Sequence, residues 1–156
     1  MFQAEISRIE KLMYRVSRSY LTSDEDAADA VQETLMKAWE KRNGLRNPAQ
    51  FKPWVMRILT NQCKDMLRRR SRKSFFPLEE TTVAVEMPEC QPPVWEAIAA
   101  LKPEQRLVVT LHYVDGYSVG EMAAMLGIPA NTIKTRMRSA RKRLSQTLLV
   151  EWEENV

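Results

Sequence analysis

The chain has few of the residues that build metal sites and disulfide frameworks. Its 156 residues include two cysteines and one histidine. Cys63, Cys90 and His112 are too few and too isolated for either arrangement. We therefore expect no metal, no cofactor and a reducing compartment, the cytoplasm.

Long apolar runs are also missing. No stretch approaches the ~20 apolar residues of a membrane span, and Met1–Glu10 lacks the apolar centre of a secretory signal, so no direct membrane insertion is expected. The acidic clusters at residues 24–29 and 79–80 have neither a histidine partner nor the spacing of metal ligands. A nuclease is thereby disfavoured, and we expect a protein that is not an enzyme.

Charge divides the chain into three parts. Residues 1–75 contain 16 Lys and Arg against 9 Asp and Glu, residues 76–92 contain none against 4, and residues 93–156 contain 8 against 7. The middle part has three prolines, no glycine and no apolar period, which is typical of an extended linker. The sequence predicts an all-α chain of two small helical domains, 1–75 and 93–156, joined by the acidic linker 76–92.

The second predicted helix of the first domain presents an unusual outer surface. Its apolar face is predicted to be Ala27, Val31, Leu35, Ala38 and Trp39. The outer face then carries acidic and amide groups around one methionine, which is typical of a protein-binding helix. The alternative is that Met36 is simply one exposed apolar residue among polar neighbours. The outer residues are Asp29, Gln32, Glu33 and Met36.

The next predicted helix carries a basic stripe. It follows a loop, Asn43–Pro53, that is rich in proline and asparagine, and Trp54 at its start is expected to lie in the core. Cations that track a backbone, beside an amide that can read a base edge, suit single-stranded nucleic acid. The stripe consists of Arg57, Asn61, Lys64 and Arg68, at intervals of four, three and four residues.

The last third of the chain has the outline of a helix-turn-helix. Ser118 and Glu121 form a capping-box pattern ahead of a short apolar helix that runs to Leu126. Gly127 then supplies the left-handed conformation that ends a helix abruptly.

The helix after this break has two distinct faces. Its apolar residues are Ile133, Met137, Ala140, Leu144 and Leu148. Between Ala130 and Ser145 it contains six cations and no anion, and such a helix gains most from a major groove between two phosphate backbones. The alternative is a solvated basic face. The opposite face contains Asn131, Thr135, Arg138, Ser139 and Lys142, flanked by Lys134, Arg136, Arg141 and Arg143.

Three segments together resemble the extracytoplasmic-function class of bacterial RNA polymerase sigma factors. The resemblance covers nearly the whole chain, and it depends on the order and spacing of the segments. The first is DAADAVQETLMKAW at residues 26–39, the second is FKPWVMRILTN at 51–61, and the third begins with LKPEQR at 101–106 and continues through Gly116-Tyr117-Ser118 into the helix-turn-helix.

This resemblance implies a role for each surface. The helix of the first segment would dock on the clamp coiled coil of the largest polymerase subunit through Asp29, Gln32, Glu33 and Met36, and the second largest subunit would contribute its flap. The basic stripe would bind the melted minus-10 element of promoter DNA through Arg57, Asn61, Lys64 and Arg68. The minus-35 element would be bound by Asn131, Thr132, Lys134, Thr135, Arg136, Arg138, Ser139, Arg141 and Lys142.

The resemblance also implies a regulatory partner, an anti-sigma factor that is often membrane-bound and would hold the chain at the membrane. Two positions depart from the family pattern. Ser139 stands where relatives often carry a longer basic side chain, and Pro129 stands where a Ser or Thr cap is commoner. The rival interpretation is a stand-alone helix-turn-helix regulator that binds palindromic half-sites as a dimer.

Overall fold

A computed structural model of the chain describes residues 1–73 and 92–154, with side chains at 1–71 and 94–148. The predicted linker 76–92 lies outside these residues, apart from Pro92. Within the described part of the chain every regular element is a helix, so the predicted all-α class is confirmed. No helix in this part is both long and apolar enough to cross a membrane.

The first group of helices is bounded by local sequence signals. Ser23 ends the turn after the first helix. Its hydroxyl accepts a hydrogen bond from the Asp26 N–H at 3.2 Å and so caps the second helix. Asn47 caps a short 3-10 turn in the same way, accepting from the Ala49 N–H. The elements are α1 Phe2–Tyr20, α2 Asp24–Glu40, 3-10 turns at Arg42–Gly44 and Pro48–Gln50, and α3 Phe51–Lys73.

The second group contains the predicted helix-turn-helix. Ser118 Oγ accepts from the Glu121 N–H at 3.1 Å, and Gly127 ends the short helix with a φ of 67°, a conformation that favours glycine. The helix-turn-helix is therefore confirmed. The elements are α4 Pro92–Ala99, α5 Pro103–Val109, a π-helical segment Thr110–Val114, α6 Val119–Leu126 and α7 Ala130–Glu154.

Most of the predicted core faces are buried. In α7, Ile133, Met137 and Ala140 are at most 2% exposed. One assignment was wrong, because Trp39 of α2 is 51% exposed. Its ring contacts the edge of Phe2, with 5.2 Å between centroids, and the Arg42 guanidinium lies 3.9 Å from the ring centroid. A single ring from α1 is too small to cover an indole.

One apolar core joins the two groups of helices. Val16 and Leu59 from the first group belong to the same cluster of buried side chains as Leu107 and Met122 from the second. Helix α1 packs on α5, and α3 packs on α6. The two predicted domains therefore lie directly against each other in this structure.

A buried arginine ties the two groups together at the centre of this contact. Arg106 is 9% exposed, and its Nη1 donates to the Ser19 carbonyl of α1 at 2.9 Å. Its Nη2 donates to the carbonyls of Ala99 and Leu101, each at 2.9 Å. Burial lowers the pKa of the guanidinium. Because the ends of helices leave carbonyls without partners inside the helix, this cation satisfies acceptors of α1 and of the α4–α5 turn together.

Arg106→Met should destabilise the protein strongly, because the substitution keeps most of the side-chain length but removes the donors to three carbonyls. We expect the free energy of unfolding to fall by about 3 kcal/mol or more, measured by urea denaturation. Lys102→Met, which removes an exposed cation in the same turn, is the control and should change stability by less than about 0.5 kcal/mol. Equal losses in the two variants would contradict the role assigned to Arg106.

Tyr20 should make the fold sensitive to alkali. Its side chain is 3% exposed, and burial, assisted by the nearby Glu104, raises its pKa from 10.0 to about 12. Because the pKa of Tyr20 is higher in the folded than in the unfolded state, the protonated phenol favours folding. This contribution to stability is complete below pH 10. That contribution is lost as the pH rises from about 10 to about 12.

Tyr20→Phe should therefore remove up to about 3 kcal/mol of the decline in unfolding free energy across this pH window. Urea titrations at several pH values between 9 and 12 measure it. Tyr113→Phe removes a phenol that is 59% exposed and should retain the wild-type pH profile. A Tyr20→Phe profile that matches wild type would contradict the expectation.

Candidate nucleic-acid interface

The predicted protein-docking surface lies on the exposed side of α2. Asp29, Gln32 and Glu33 are all exposed, and Met36 is 57% exposed. Trp39, one turn further along, extends the apolar part of this surface. The surface combines acidic groups with two large apolar side chains that are more than half exposed, which favours a protein partner.

The basic stripe of α3 is present, but parts of it are already engaged within the chain. Arg57 and Asn61 are exposed. Lys64 Nζ lies 3.3 Å from Glu104 Oε1 of α5, and Arg68 pairs with Asp65 at 3.2 Å. The four residues lie on one face of α3, as their spacing predicts. The ion pair between Lys64 and α5 could not be predicted from that spacing.

The loop before α3 lines a small aromatic pocket of about 210 Å³. Phe51 and Phe2 meet edge to face, with 5.7 Å between ring centroids, and Trp54 lies 6.1 Å from Phe51. Trp54 is half-buried here, where it was expected in the core. Asn61 does not line this pocket, since it lies about two helical turns beyond Trp54. The pocket is lined by Met1, Phe2, Glu5, Arg42, Leu45, Pro48, Phe51 and Trp54.

The predicted outer face of α7 is exposed almost throughout. The hydroxyl of Thr135 donates back to the Asn131 carbonyl at 2.9 Å, and Thr132 is half-buried beside the turn. The exposed members of this face are Asn131, Lys134, Thr135, Arg138, Ser139, Arg141 and Lys142. No acid stands among these cations between Ala130 and Ser145, so the face attracts anions.

Arg136 differs from the other cations of α7. Its side chain is only 20% exposed, and its Nη2 lies 3.5 Å from Glu104 Oε2. Nη1 of the same guanidinium is buried without a hydrogen-bond partner. In this structure Arg136 therefore points towards α5, whereas the neighbouring cations of α7 point outwards.

Arg141 receives support from outside its helix. Its Nε donates to the Tyr113 hydroxyl at 2.9 Å, which leaves both terminal nitrogens of the guanidinium for other contacts. Tyr113 lies in the π-helical segment and is 59% exposed. Neither Tyr113 nor Glu104 was predicted from the sequence. Their contacts join positions that are distant in the chain, so no local pattern indicates them.

Acidic groups do not assemble into a metal site in the part of the chain that the structure describes, where no three His, Cys, Asp or Glu side chains lie close enough to hold an ion. The interface is instead formed by cations, amides, hydroxyls and aromatic rings. These groups bind and orient a polyanion.

Two family models match this arrangement. Residues 6–73 match sigma-70 region 2, and residues 93–144 match sigma-70 region 4. The first match covers α1 to α3, and the second covers α4 to the middle of α7.

Curated relatives agree with these matches. The ECF RNA polymerase sigma factor SigM of Mycobacterium tuberculosis is 32% identical over 150 residues, covering 94% of this chain and 76% of that protein. The RNA polymerase sigma factor SigV of Bacillus subtilis is 29% identical over 134 residues, covering 83% of this chain and 80% of that protein.

Solved structures are similar over almost the full length. The sigma factor RpoE of Bartonella quintana, in complex with the anti-sigma factor NepR, has a TM-score of 0.71 and 28% identity, covering 96% of this chain and 97% of that one. CnrH, in complex with the cytosolic domain of CnrY, has a TM-score of 0.65 and 26% identity, covering 96% and 88%. The chain belongs to the extracytoplasmic-function (ECF) sigma factors, the class of alternative sigma factors predicted from its sequence motifs.

Proposed function

We propose that the chain binds core RNA polymerase through α2, holds melted minus-10 DNA on α3 and reads duplex minus-35 DNA with α7, without catalytic activity of its own. The observation that carries this proposal is the separation of the exposed groups into three surfaces of different chemistry. The α2 surface is acidic and apolar, the α3 surface is basic with an adjacent aromatic pocket, and the α7 surface has cations and no acid.

The α2 surface supports docking on the clamp coiled coil of the largest polymerase subunit. A flexible methionine and an indole adapt to a helical partner, while Asp29 and Glu33 select a basic one. The flap of the second largest subunit would bind the helix-turn-helix half. Four exposed side chains therefore form the docking set: Asp29, Gln32, Glu33 and Met36.

The α3 surface supports binding of single-stranded DNA. Arg57, Lys64 and Arg68 would neutralise successive phosphates, and the amide of Asn61 would hydrogen-bond a base edge. The aromatic pocket beside the loop would receive an unstacked base, since stacking on rings is sequence-tolerant and favourable. Phosphate contacts would supply affinity here, and the base contacts would choose the sequence.

The α7 surface supports entry into a major groove. Arg138, Lys134 and Ser139 are exposed and would contact bases. Asn131, Thr132, Thr135, Arg141 and Lys142 would fix the helix on the phosphates. Arg136 joins this set only when its contact with Glu104 is broken.

A cleft between the two groups of helices supports an anti-sigma partner. Its volume is about 540 Å³, and it brings Tyr14 and Arg15 of α1 next to Trp95 and Ile98 of α4. RpoE is solved with the anti-sigma factor NepR, and CnrH is solved with the cytosolic domain of CnrY. We place the chain in the cytoplasm, where such a partner would hold it inactive, at the membrane if that partner is membrane-bound.

Glu33→Lys should weaken binding to core polymerase at least about tenfold, because it puts a cation where a basic partner docks. Competition for labelled core polymerase measures the effect, and run-off transcription should fall with it. The control is Glu10→Lys, which makes the same charge change on an exposed position of α1. Equal effects of the two substitutions would count against docking through α2.

Arg138→Ala should relax sequence preference at one or two minus-35 positions and cost about 1–3 kcal/mol of discrimination there. Transcription by the reconstituted holoenzyme from a promoter library with a randomised minus-35 element measures this. Arg143→Ala is the matched control, since Arg143 flanks the same helix outside the proposed set and should change all promoters alike. A uniform effect of Arg138→Ala would contradict base reading by this residue.

A further inference from the structure

One carboxylate contacts a cation from each of the two proposed DNA surfaces. Glu104 Oε1 lies 3.3 Å from Lys64 Nζ on α3, and Oε2 of the same side chain lies 3.5 Å from Arg136 Nη2 on α7. Lys64 belongs to the basic stripe of α3, which we propose binds minus-10 DNA. Arg136 belongs to α7, which we propose binds minus-35 DNA. Glu104 therefore connects the two surfaces through its two oxygens.

A second contact brings the same elements together. The Arg57 guanidinium lies against the turn of the helix-turn-helix, where a β-carbon added at Gly127 would stand 3.2 Å from its Nη2. Arg57 precedes Lys64 on the α3 stripe by two helical turns. Two cations of the stripe thus face the second group of helices at separate points.

The ion pairs of Glu104 are accessible to water, so another anion can replace its carboxylate. Its side chain is 42% exposed, and those of Lys64 and Arg136 are 37% and 20% exposed. Ion pairs that are accessible to water are weak individually and are screened by salt. A DNA phosphate is an anion of the same charge that binds the same two side chains. Phosphate and carboxylate therefore compete for Lys64 and Arg136.

We propose that Glu104 competes with promoter DNA inside the free protein. It links α3 to α7 and withholds Lys64 and Arg136 from phosphates until the two groups of helices separate. This inference rests on the proposed function. It gives a reason, built into the fold, to expect weak promoter binding by the free chain. The ion pairs of Glu104 add to the apolar packing of α1 on α5 and of α3 on α6 in holding the halves together, and they make that closed arrangement incompatible with DNA.

The test is the affinity of the free, full-length protein for a promoter fork with a melted minus-10 segment, measured by fluorescence anisotropy. Glu104→Gln should bind about two- to tenfold more tightly than wild type, because two weak ion pairs are lost. Glu104→Lys should bind more tightly still, because a cation at this position repels both partners.

The matched controls are Glu96→Gln and Glu96→Lys. Glu96 is an exposed acid of α4, and it forms no ion pair among the described residues. These substitutions change the net charge of the chain by the same amounts, so any gain that they share with the Glu104 variants is non-specific. The proposal is overturned if the Glu104 variants gain no more affinity than the Glu96 variants.

Small-angle scattering of the free proteins provides the second measurement. Glu104→Lys should increase the radius of gyration, whereas Glu96→Lys should leave it at the wild-type value, with circular dichroism showing that helix content is kept. An unchanged radius for Glu104→Lys would overturn the role of Glu104 in closure. Glu104→Gln removes the charge without adding one, so its affinity remains a test even if the lysine variant fails to fold.

The same variants in complex with core polymerase separate this proposal from the proposed function. There the polymerase sets the spacing of the two halves, and wild type and Glu104→Gln should transcribe within about twofold of each other. If wild-type holoenzyme shows no promoter-directed transcription, the proposed function fails. If the holoenzyme is active and Glu104→Gln gains nothing as a free protein, the inference about Glu104 alone fails.

Discussion

The closed arrangement of this protein depends on the burial of one guanidinium. A charged side chain inside a helical bundle destabilises the fold unless its donors find acceptors. The two terminal nitrogens of Arg106 find them at the Ser19 carbonyl near the end of α1 and at the carbonyls of Ala99 and Leu101, while its Nε has no partner among the described residues. The partial negative charge at the C-terminal end of α1 also favours a cation there. The apolar residues on either side of Arg106 can then form one core across both halves.

The electrostatics of α7 follow from this closed core. The six cations between Ala130 and Ser145, with no acid among them, repel one another, and the structure relieves part of that repulsion from outside. Glu104 approaches Arg136 from α5, and the Tyr113 hydroxyl accepts a hydrogen bond from Arg141. The remaining exposed cations are left to attract an external polyanion. The fold thus compensates the charge of the inner cation and leaves that of the outer ones available.

Local structure was predictable from the sequence because its causes are local. The cap at Ser118 and the break at Gly127 depend on residues within one or two turns, and each was found where it was expected. Helical periodicity likewise separated the buried face of α7 from its exposed face. The exposure of the proposed docking residues on α2 follows from the same period.

The remaining features depend on residues that are distant in the chain. The hydrogen bond from Arg106 to Ser19 spans 87 positions, and no periodicity reports which distant carbonyl a buried cation will reach. Trp39 was misplaced because helical phase gives the side of a helix but not how much partner surface covers it. The orientation of Arg136 depends on Glu104 of another helix, so a projection of α7 alone counted it with the outward cations.

The position of Glu104 also constrains how this chain can diverge. The two oxygens of Glu104 contact residues of both α3 and α7. A substitution at position 136 that is selected for a new promoter sequence therefore also alters the ion pair between Glu104 and Lys64. Changes in promoter choice would then be inherited together with changes in the activity of the unassembled factor. In a genome with several such factors, a duplicated copy that changes position 136 would change both properties together.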